Sequence, residues 1–290
     1  MEIQEHAYAK LNLSLDVLGK MDDGYHRMKM VVQSVSLCDD VTVALTGDGR
    51  INAWSNLPYL PNDDRNIAFK AAEAFFAETG IKGAGADIRI FKRIPVGSGL
   101  AGGSSDGAAV LRGLNALTGA GLSRRQLEKI AERLGSDVPF CVAGGTALAE
   151  GRGEVLTDLP PMPECPIVIC KPAFSLSTPE MFEIYDAHKS GYMPDTDVLV
   201  EALEKSDLRG LAIRMYNVFE DVMPRQYEAI HIIKARLLDY GALGVSMSGT
   251  GPAVFGIFDD TEKAEKACRA LMPEYHDCFL TKPINRLELV

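Results

Sequence analysis

Residues 95–106 read Pro95-Val96-Gly97-Ser98-Gly99-Leu100-Ala101-Gly102-Gly103-Ser104-Ser105-Asp106. Before this run, Ala86 to Phe91 alternates apolar and polar residues, and Pro95 ends that strand. After it, Val110, Leu111, Leu114 and Leu117 recur at helical spacing. A strand, a glycine-rich loop and a helix in succession let backbone amides approach a phosphate closely, and the helix N-terminus adds a favourable dipole. The loop is therefore expected to hold a polyphosphate. Residues 97–102 also fit G-x-G-x-x-G, but a dinucleotide fold needs an acidic residue at the end of a second strand about 20 residues on. Ser123 to Leu134 is helical instead. A P-loop needs a lysine after the last glycine, where Ser104 stands, and the H-R-D and D-F-G signatures of protein kinases are absent.

Upstream, Leu11, Leu13, Leu15 and Val17 alternate with Lys10, Asn12, Ser14 and Asp16, which predicts a strand with Lys10 and Asn12 on its polar face. Asp22-Asp23-Gly24 is turn chemistry leading into an extended run at 30–35, so the chain is expected to open with a hairpin. Ile67 to Thr79 reads as a helix stopped by Gly80, and Ser123 and Gln126 have capping-box spacing ahead of another. Four prolines within residues 157–166 exclude helix and interior strand, so a boundary is placed there, giving domains 1–158 and 159–290. Beyond it, Ile167-Val168-Ile169 opens a second part with a strand, glycine turn and strand over 245–258 and a late helix through Ala264, Ala267, Cys268 and Leu271. Strands and helices without regular βαβ alternation predict an α+β protein.

The bulk properties narrow the chemistry. With 290 residues and 47% apolar content the chain is long enough for two cores. A net charge of −10 argues against a broad nucleic-acid surface, so phosphate has to be bound locally. The six cysteines are scattered without metal-site spacing, and neither a basic leader nor a run of about 18 apolar residues is present. A cytoplasmic enzyme that does not engage a membrane is the expectation. Oligomeric state is not legible.

Residues 95–105 resemble the phosphate-binding motif of the GHMP kinases, the superfamily of galactokinase, homoserine kinase and mevalonate kinase. Ala7 to Leu15 is similar to their N-terminal motif, and Ser248-Gly249-Thr250-Gly251-Pro252 to their third, glycine-rich motif. Two positions depart from the pattern: Ala101 replaces a usual glycine, and Gly107 a usual alanine. The resemblance implies a two-domain GHMP kinase fold with the active site in the cleft between domains, ATP as donor and Mg²⁺ accompanying it. No protein metal cage is visible. Within the superfamily, Ala9-Lys10-Leu11-Asn12-Leu13, Asp23-Gly24-Tyr25-His26 and Gly135-Ser136-Asp137-Val138-Pro139-Phe140 with Gly144-Gly145 resemble a branch that phosphorylates the 2-hydroxyl of a cytidine-diphosphate-bearing alcohol in the non-mevalonate route to isoprenoid precursors. The rival readings are a homoserine- or mevalonate-type kinase and a non-catalytic nucleotide-binding regulator.

What the resemblance implies falls on particular residues. Asp137 is the candidate base, with helix capping as its plain alternative. Lys10 would stabilise charge at the acceptor hydroxyl and the transferring phosphoryl group. Asn12 would touch substrate or serve as a strand-face amide. Tyr25 would stack on cytosine, His26 would read the base edge, Phe182 would supply the opposite face unless it is core, and Thr178 would contact substrate. Residues 95–105 and Asn66 would hold ATP, with Ser104 and Ser105 donating to phosphate, and Ser248, Gly249, Thr250 and Gly251 would form the third motif.

Overall fold

The computed structural model describes residues 1–188 and 194–287. The alternating N-terminal stretch forms β1 (Glu2–Lys20), which returns through residues 21–25 into antiparallel β2 (His26–Thr46), the expected hairpin. The strand is not uniform. Its register against β2 shifts between Tyr8 and Lys10, between Asn12 and Ser14, and between Val17 and Gly19. The single apolar face expected for Leu11 to Val17 is accordingly split. Leu11 and Leu13 pack with Ile167, Ile169, Phe255 and Ile257, whereas Leu15 and Val17 join the cluster of Met28, Met30 and Phe219.

The chain continues through β3 (Ile51–Ser55), α1 (Ile67–Thr79), β4 (Gly85–Phe91), α2 (Gly102–Thr118), α3 (Arg124–Ala131), α4 (Val138–Ala143), β5 (Thr146–Gly151) and β6 (Val155–Asp158). Gly80 adopts a left-handed conformation and closes α1, and the Gln126 side chain accepts the Ser123 N–H at 2.9 Å where α3 begins. Both helix ends follow the sequence reading.

After the proline-rich stretch come β7 (Ile167–Lys171), α5 (Thr178–His188), α6 (Thr196–Glu204), α7 (Leu208–Ala212), β8 (Tyr216–Asn217), α8 (Val218–Asp221), α9 (Glu228–Asp239), β9 (Gly244–Met247), β10 (Val254–Ile257), α10 (Thr261–Leu271) and β11 (Asp277–Thr281). One sheet runs β3-β4-β2-β1-β8, with β5 on the other half of β2 and β6 beside β5. The second runs β11-β7-β10-β9, antiparallel throughout. The α+β class is as expected. Among the described residues no helix is long and apolar enough to cross a membrane.

Two later segments join the first sheet. β8 pairs in parallel with β1 at Ser14 and Leu15. Residues 282–287 lie along the start of β5 and the middle of β2: Ser36 N–H donates to the Lys282 carbonyl at 2.9 Å, Ile284 N–H to Ser34 at 3.0 Å, and Leu287 N–H to Ala143 at 2.9 Å.

Asn217, buried at the end of β8, donates from Nδ2 to the carbonyls of Met247 and Gly249, each at 2.7 Å, while its Oδ1 caps α8. Replacing it by alanine strands two buried acceptors and one donor. Asn217→Ala should lower unfolding free energy by about 2 kcal/mol in a urea titration, and an unchanged midpoint would show that this amide does not hold the turn after β9.

Candidate active site

A cleft of about 930 Å³ opens along the phosphate loop, bordered at one end by Asn66 and at the other by Tyr25, His26 and Phe182. The loop reaches its shape through left-handed residues at Gly97, Gly99 and Ala101, with φ of 62°, 80° and 58°. α2 then starts with no side-chain cap, and its first return bond is Ser105 N–H to the Ala101 carbonyl at 2.8 Å. The N–H groups of Gly102, Gly103 and Ser104, all bordering the cleft, therefore lack intrahelical partners and carry the positive end of the helix dipole. The arrangement suits an anion.

Both departures from the motif have local consequences. A Cβ on Gly107 would come within 2.7 Å of Ile67 Cγ2, so glycine lets α1 close on α2. Ala101 holds a backbone conformation that costs an L-residue roughly 1–2 kcal/mol, and nothing in the structure explains its use there.

Several loop side chains turn away from the cleft, contrary to their expected use. Leu100 is core, Ser98 Oγ donates to the Pro95 carbonyl at 2.6 Å, and Ser105 Oγ donates to the carbonyls of Tyr8 at 2.6 Å and Ala101 at 2.9 Å. The Ser105 hydroxyl is committed to backbone; Ser104 still borders the cleft. Gly99 meets the third motif directly. A Cβ there would stand 2.1 Å from the Ser248 carbonyl oxygen, and Ser248 Oγ donates to the Gly99 carbonyl at 3.0 Å. Gly249 and Thr250 face the cleft, while Ser248 and Gly251 are buried behind it.

Lys10 Nζ lies 2.7 Å from Asn12 Oδ1 and 3.5 Å from Asp137 Oδ1. Asn12 is sealed from solvent: the same oxygen accepts the Gly249 N–H at 2.9 Å, and Nδ2 donates to Met30 Sδ at 3.3 Å. Its expected contact with substrate gives way to a structural role, because every polar atom of the side chain is already paired. Asp137 occupies the N-cap position of α4, yet its carboxylate makes no cap hydrogen bond. It faces Lys10 and the cleft with its side chain 40% exposed.

At the acceptor end, His26 stacks on Phe182 with ring centroids 4.6 Å apart and 18° between planes, and its Nε2 is 2.7 Å from Asp186 Oδ1. Phe182 thus offers a face to His26, and the expected slot between Tyr25 and Phe182 is not formed. Tyr25 is 56% exposed with the Arg152 guanidinium 4.2 Å over its ring. Asp186, held below the usual carboxylate range by its bonds to Lys20 and then His26, closes this end. Thr178 Oγ1 meets Thr250 Oγ1 at 3.1 Å, joining α5 to the third motif. Asn66 caps α1 by accepting the Ala68 N–H at 2.9 Å and donates to the Pro61 carbonyl at 2.8 Å.

Sequence reading missed four of these parts. Arg152, Asp186 and Asn217 lie far along the chain from their partners. Lys92, immediately before the loop, is buried against Asp39 and Asp106; its position beside the motif was the available signal. Among the described residues the group of His, Cys and acidic side chains compact enough for a metal is His6, Cys38 and Asp40; none borders the cleft, and Arg93 pairs with Asp40.

The loop, the open helix and the cleft are those of a nucleotide-dependent phosphotransferase. The GHMP kinases N terminal domain profile matches residues 66–145 and the GHMP kinases C terminal profile residues 199–277, and the chain belongs to the GHMP kinases. It is 44% identical, over 96% of its length and 99% of the relative, to the 4-diphosphocytidyl-2-C-methyl-D-erythritol kinase of Clostridium botulinum (strain Alaska E43 / Type E3), and 41% identical over 98% of both chains to that of Alkaliphilus metalliredigens (strain QYMF). A crystal structure of 4-(cytidine 5'-diphospho)-2C-methyl-D-erythritol kinase superposes with TM-score 0.82 at 32% identity, covering 97% of this chain and 99% of that one. Within the GHMP kinases, the chain belongs to the 4-diphosphocytidyl-2-C-methyl-D-erythritol kinase family. A homoserine kinase from Cytophaga hutchinsonii, at 21% identity, 98% and 95% coverage and TM-score 0.75, shares the fold.

The approach of Gly99 to Ser248 sets a strict limit. Gly99→Ala combines a left-handed backbone with a 2.1 Å clash against a carbonyl and should cost at least about 2 kcal/mol by denaturant titration. Stability close to wild type would mean that the two segments separate freely.

Proposed function

We propose that this chain acts in the cytoplasm as an ATP-dependent kinase that phosphorylates the 2-hydroxyl of 4-diphosphocytidyl-2-C-methyl-D-erythritol, in the non-mevalonate route to isoprenoid precursors. The observation that carries the reading is the Lys10–Asp137 pair, 3.5 Å apart on the same cleft as the open N-terminus of α2. Polyphosphate rests on the amides of residues 102–104. The acceptor hydroxyl lies between Asp137 and the γ-phosphorus. Its oxygen attacks phosphorus, the bond from phosphorus to the β–γ bridging oxygen breaks, ADP departs, and the hydroxyl proton passes to Asp137. Lys10 is fixed by Asn12 and presents its charge to the phosphoryl oxygens as they gain negative charge.

Mg²⁺ fits this donor set: the Ser104 hydroxyl and the Asp137 carboxylate both border the cleft, and a magnesium ion that arrives with ATP keeps most of its waters and needs few protein ligands. Bound there, it would supply charge neutralisation for the phosphates. Cytosine stacks on the exposed ring of Tyr25, while the His26–Phe182 stack and Asp186 form the wall beside it.

Incubation of the purified protein and ATP with diphosphocytidyl-methylerythritol, homoserine or mevalonate separates the readings; preferential phosphorylation of either of the last two overturns this one. Asp137→Asn should lower kcat by roughly 10²–10⁴-fold with nucleotide affinity nearly unchanged, and near-normal turnover would remove Asp137 from the chemistry. Tyr25→Ala should weaken acceptor binding by about 5- to 150-fold, the equivalent of roughly 1–3 kcal/mol for base stacking. CMP should compete with the acceptor and not with ATP, and equal competition against the Tyr25 variant would place cytosine elsewhere.

A further inference from the structure

Lys92 stands directly behind the phosphate loop. Its Nζ lies 2.5 Å from Asp39 Oδ2 on β2 and 2.6 Å from Asp106 Oδ2 on α2, and all three side chains are buried. A Cβ placed on Gly102 would sit 3.2 Å from the same ammonium, so the cation backs onto the start of the helix. Asp39 is well satisfied, since Oδ1 accepts the N–H groups of Arg93 at 2.5 Å and Ile94 at 2.8 Å. Asp106 Oδ1 is buried with no partner. One cation between two ionised carboxylates would leave a surplus negative charge behind the amides that receive the nucleotide, and two carboxylates in one buried site do not both ionise readily.

We propose that Lys92, Asp39 and Asp106 form a positioning clamp for the nucleotide: Lys92 ties the open end of α2 to the sheet, and a proton retained by the carboxylate pair keeps the charge behind the loop near zero. The inference rests on the reading of the loop as a polyphosphate site. Burial, ahead of every other cause, pushes the Asp106 carboxyl up to about 8, with Lys92 opposing and Asp39 reinforcing the rise. For Lys92 the two carboxylates outweigh burial and hold the ammonium above its ordinary value. Other charges nearby are engaged elsewhere. Arg93 sends its guanidinium to Asp40, Lys10 on β1 faces Asp137 ahead of α4, and Arg112 further along α2 pairs with Glu5. A polyphosphate on the loop adds negative charge and favours the protonated cluster. Binding therefore takes up a proton, and affinity falls as pH rises through the titration of Asp106.

The test is calorimetric titration of the full chain with a non-hydrolysable ATP analogue from about pH 7 to about pH 9.5, a range in which phosphate groups with a second pKa near 6 are already ionised. Wild-type affinity should fall by about fivefold or more across this range, the scale of one added unit charge in a partly screened site. Asp106→Asn keeps the clamp neutral without the proton and should bind as wild type at the low end and hold its affinity at the high end. Lys92→Met should weaken the analogue about tenfold while adenosine, which carries no phosphate, binds within about twofold of wild type. Turnover at saturating ATP should change far less than the KM for ATP. A flat wild-type profile, an Asp106→Asn profile that falls in parallel, or equal losses for the analogue and adenosine in Lys92→Met would each overturn the clamp. Should Lys92→Met fail to fold, the pH series on Asp106→Asn decides. Wild-type protein that binds no nucleotide at any pH would instead refute the polyphosphate reading of the loop.

Discussion

Gly99 and Ser248 meet backbone to backbone, with no room for a Cβ between them. That closeness fixes much of what surrounds the cleft. The Ser248 hydroxyl bridges to the Gly99 carbonyl, the Ala253 N–H donates to the Ser98 carbonyl at 3.1 Å, and the Gly249 N–H reaches Asn12. Since Asn12 in turn holds Lys10, one contact between two glycine turns sets the phosphate loop, the first strand and the catalytic cation in a common frame. Side-chain packing tolerates adjustments of several tenths of an ångström; apposed main chains do not, because neither partner has a rotamer to change.

The electrostatic problem is equally local. A chain of net charge −10 has to receive polyanionic ligands, and it does so with oriented amides and a few ammonium groups whose surroundings are controlled. Lys10 is held by an amide oxygen and faces a single carboxylate, leaving its charge directed at the cleft. Lys92 is enclosed by carboxylates and acts from behind. The acidic exterior does not decide the matter, since exposed charges more than about 8–10 Å away are screened at physiological ionic strength.

Much of this was legible beforehand where local chemistry governs. The loop, its flanking strand and helix, the caps at Gly80 and Ser123, and the opening hairpin all follow from residues close together in the chain. The apolar alternation at 11–17 misled because a bulge inserts a residue without altering the pattern of residue types, and so exchanges the faces of a strand unseen. Asn12 and Ser105 look like ligands in sequence, and only tertiary neighbours 237 residues away in one case and 97 in the other show their hydrogen bonds already used. For Asp137 the reverse holds. Its position before Pro139 suits a cap, and the folded chain leaves the carboxylate uncommitted. The two residues of β8 are too few to carry any periodic signal, and the meeting of Lys92 with Asp39 spans 53 positions.

The return of residues 282–287 to the first sheet bears on how the molecule is assembled. Ser34, Ser36 and Ala143 find backbone partners in a segment made after almost all of the second sheet. During translation the N-terminal sheet emerges early, and domains generally condense in that order. Here the early sheet waits with part of its ladder incomplete until the late segment arrives. The fold is thus closed by a clasp rather than built from two independent halves, and a ribosome that stalls past the proline-rich stretch would release a sheet with an open seam.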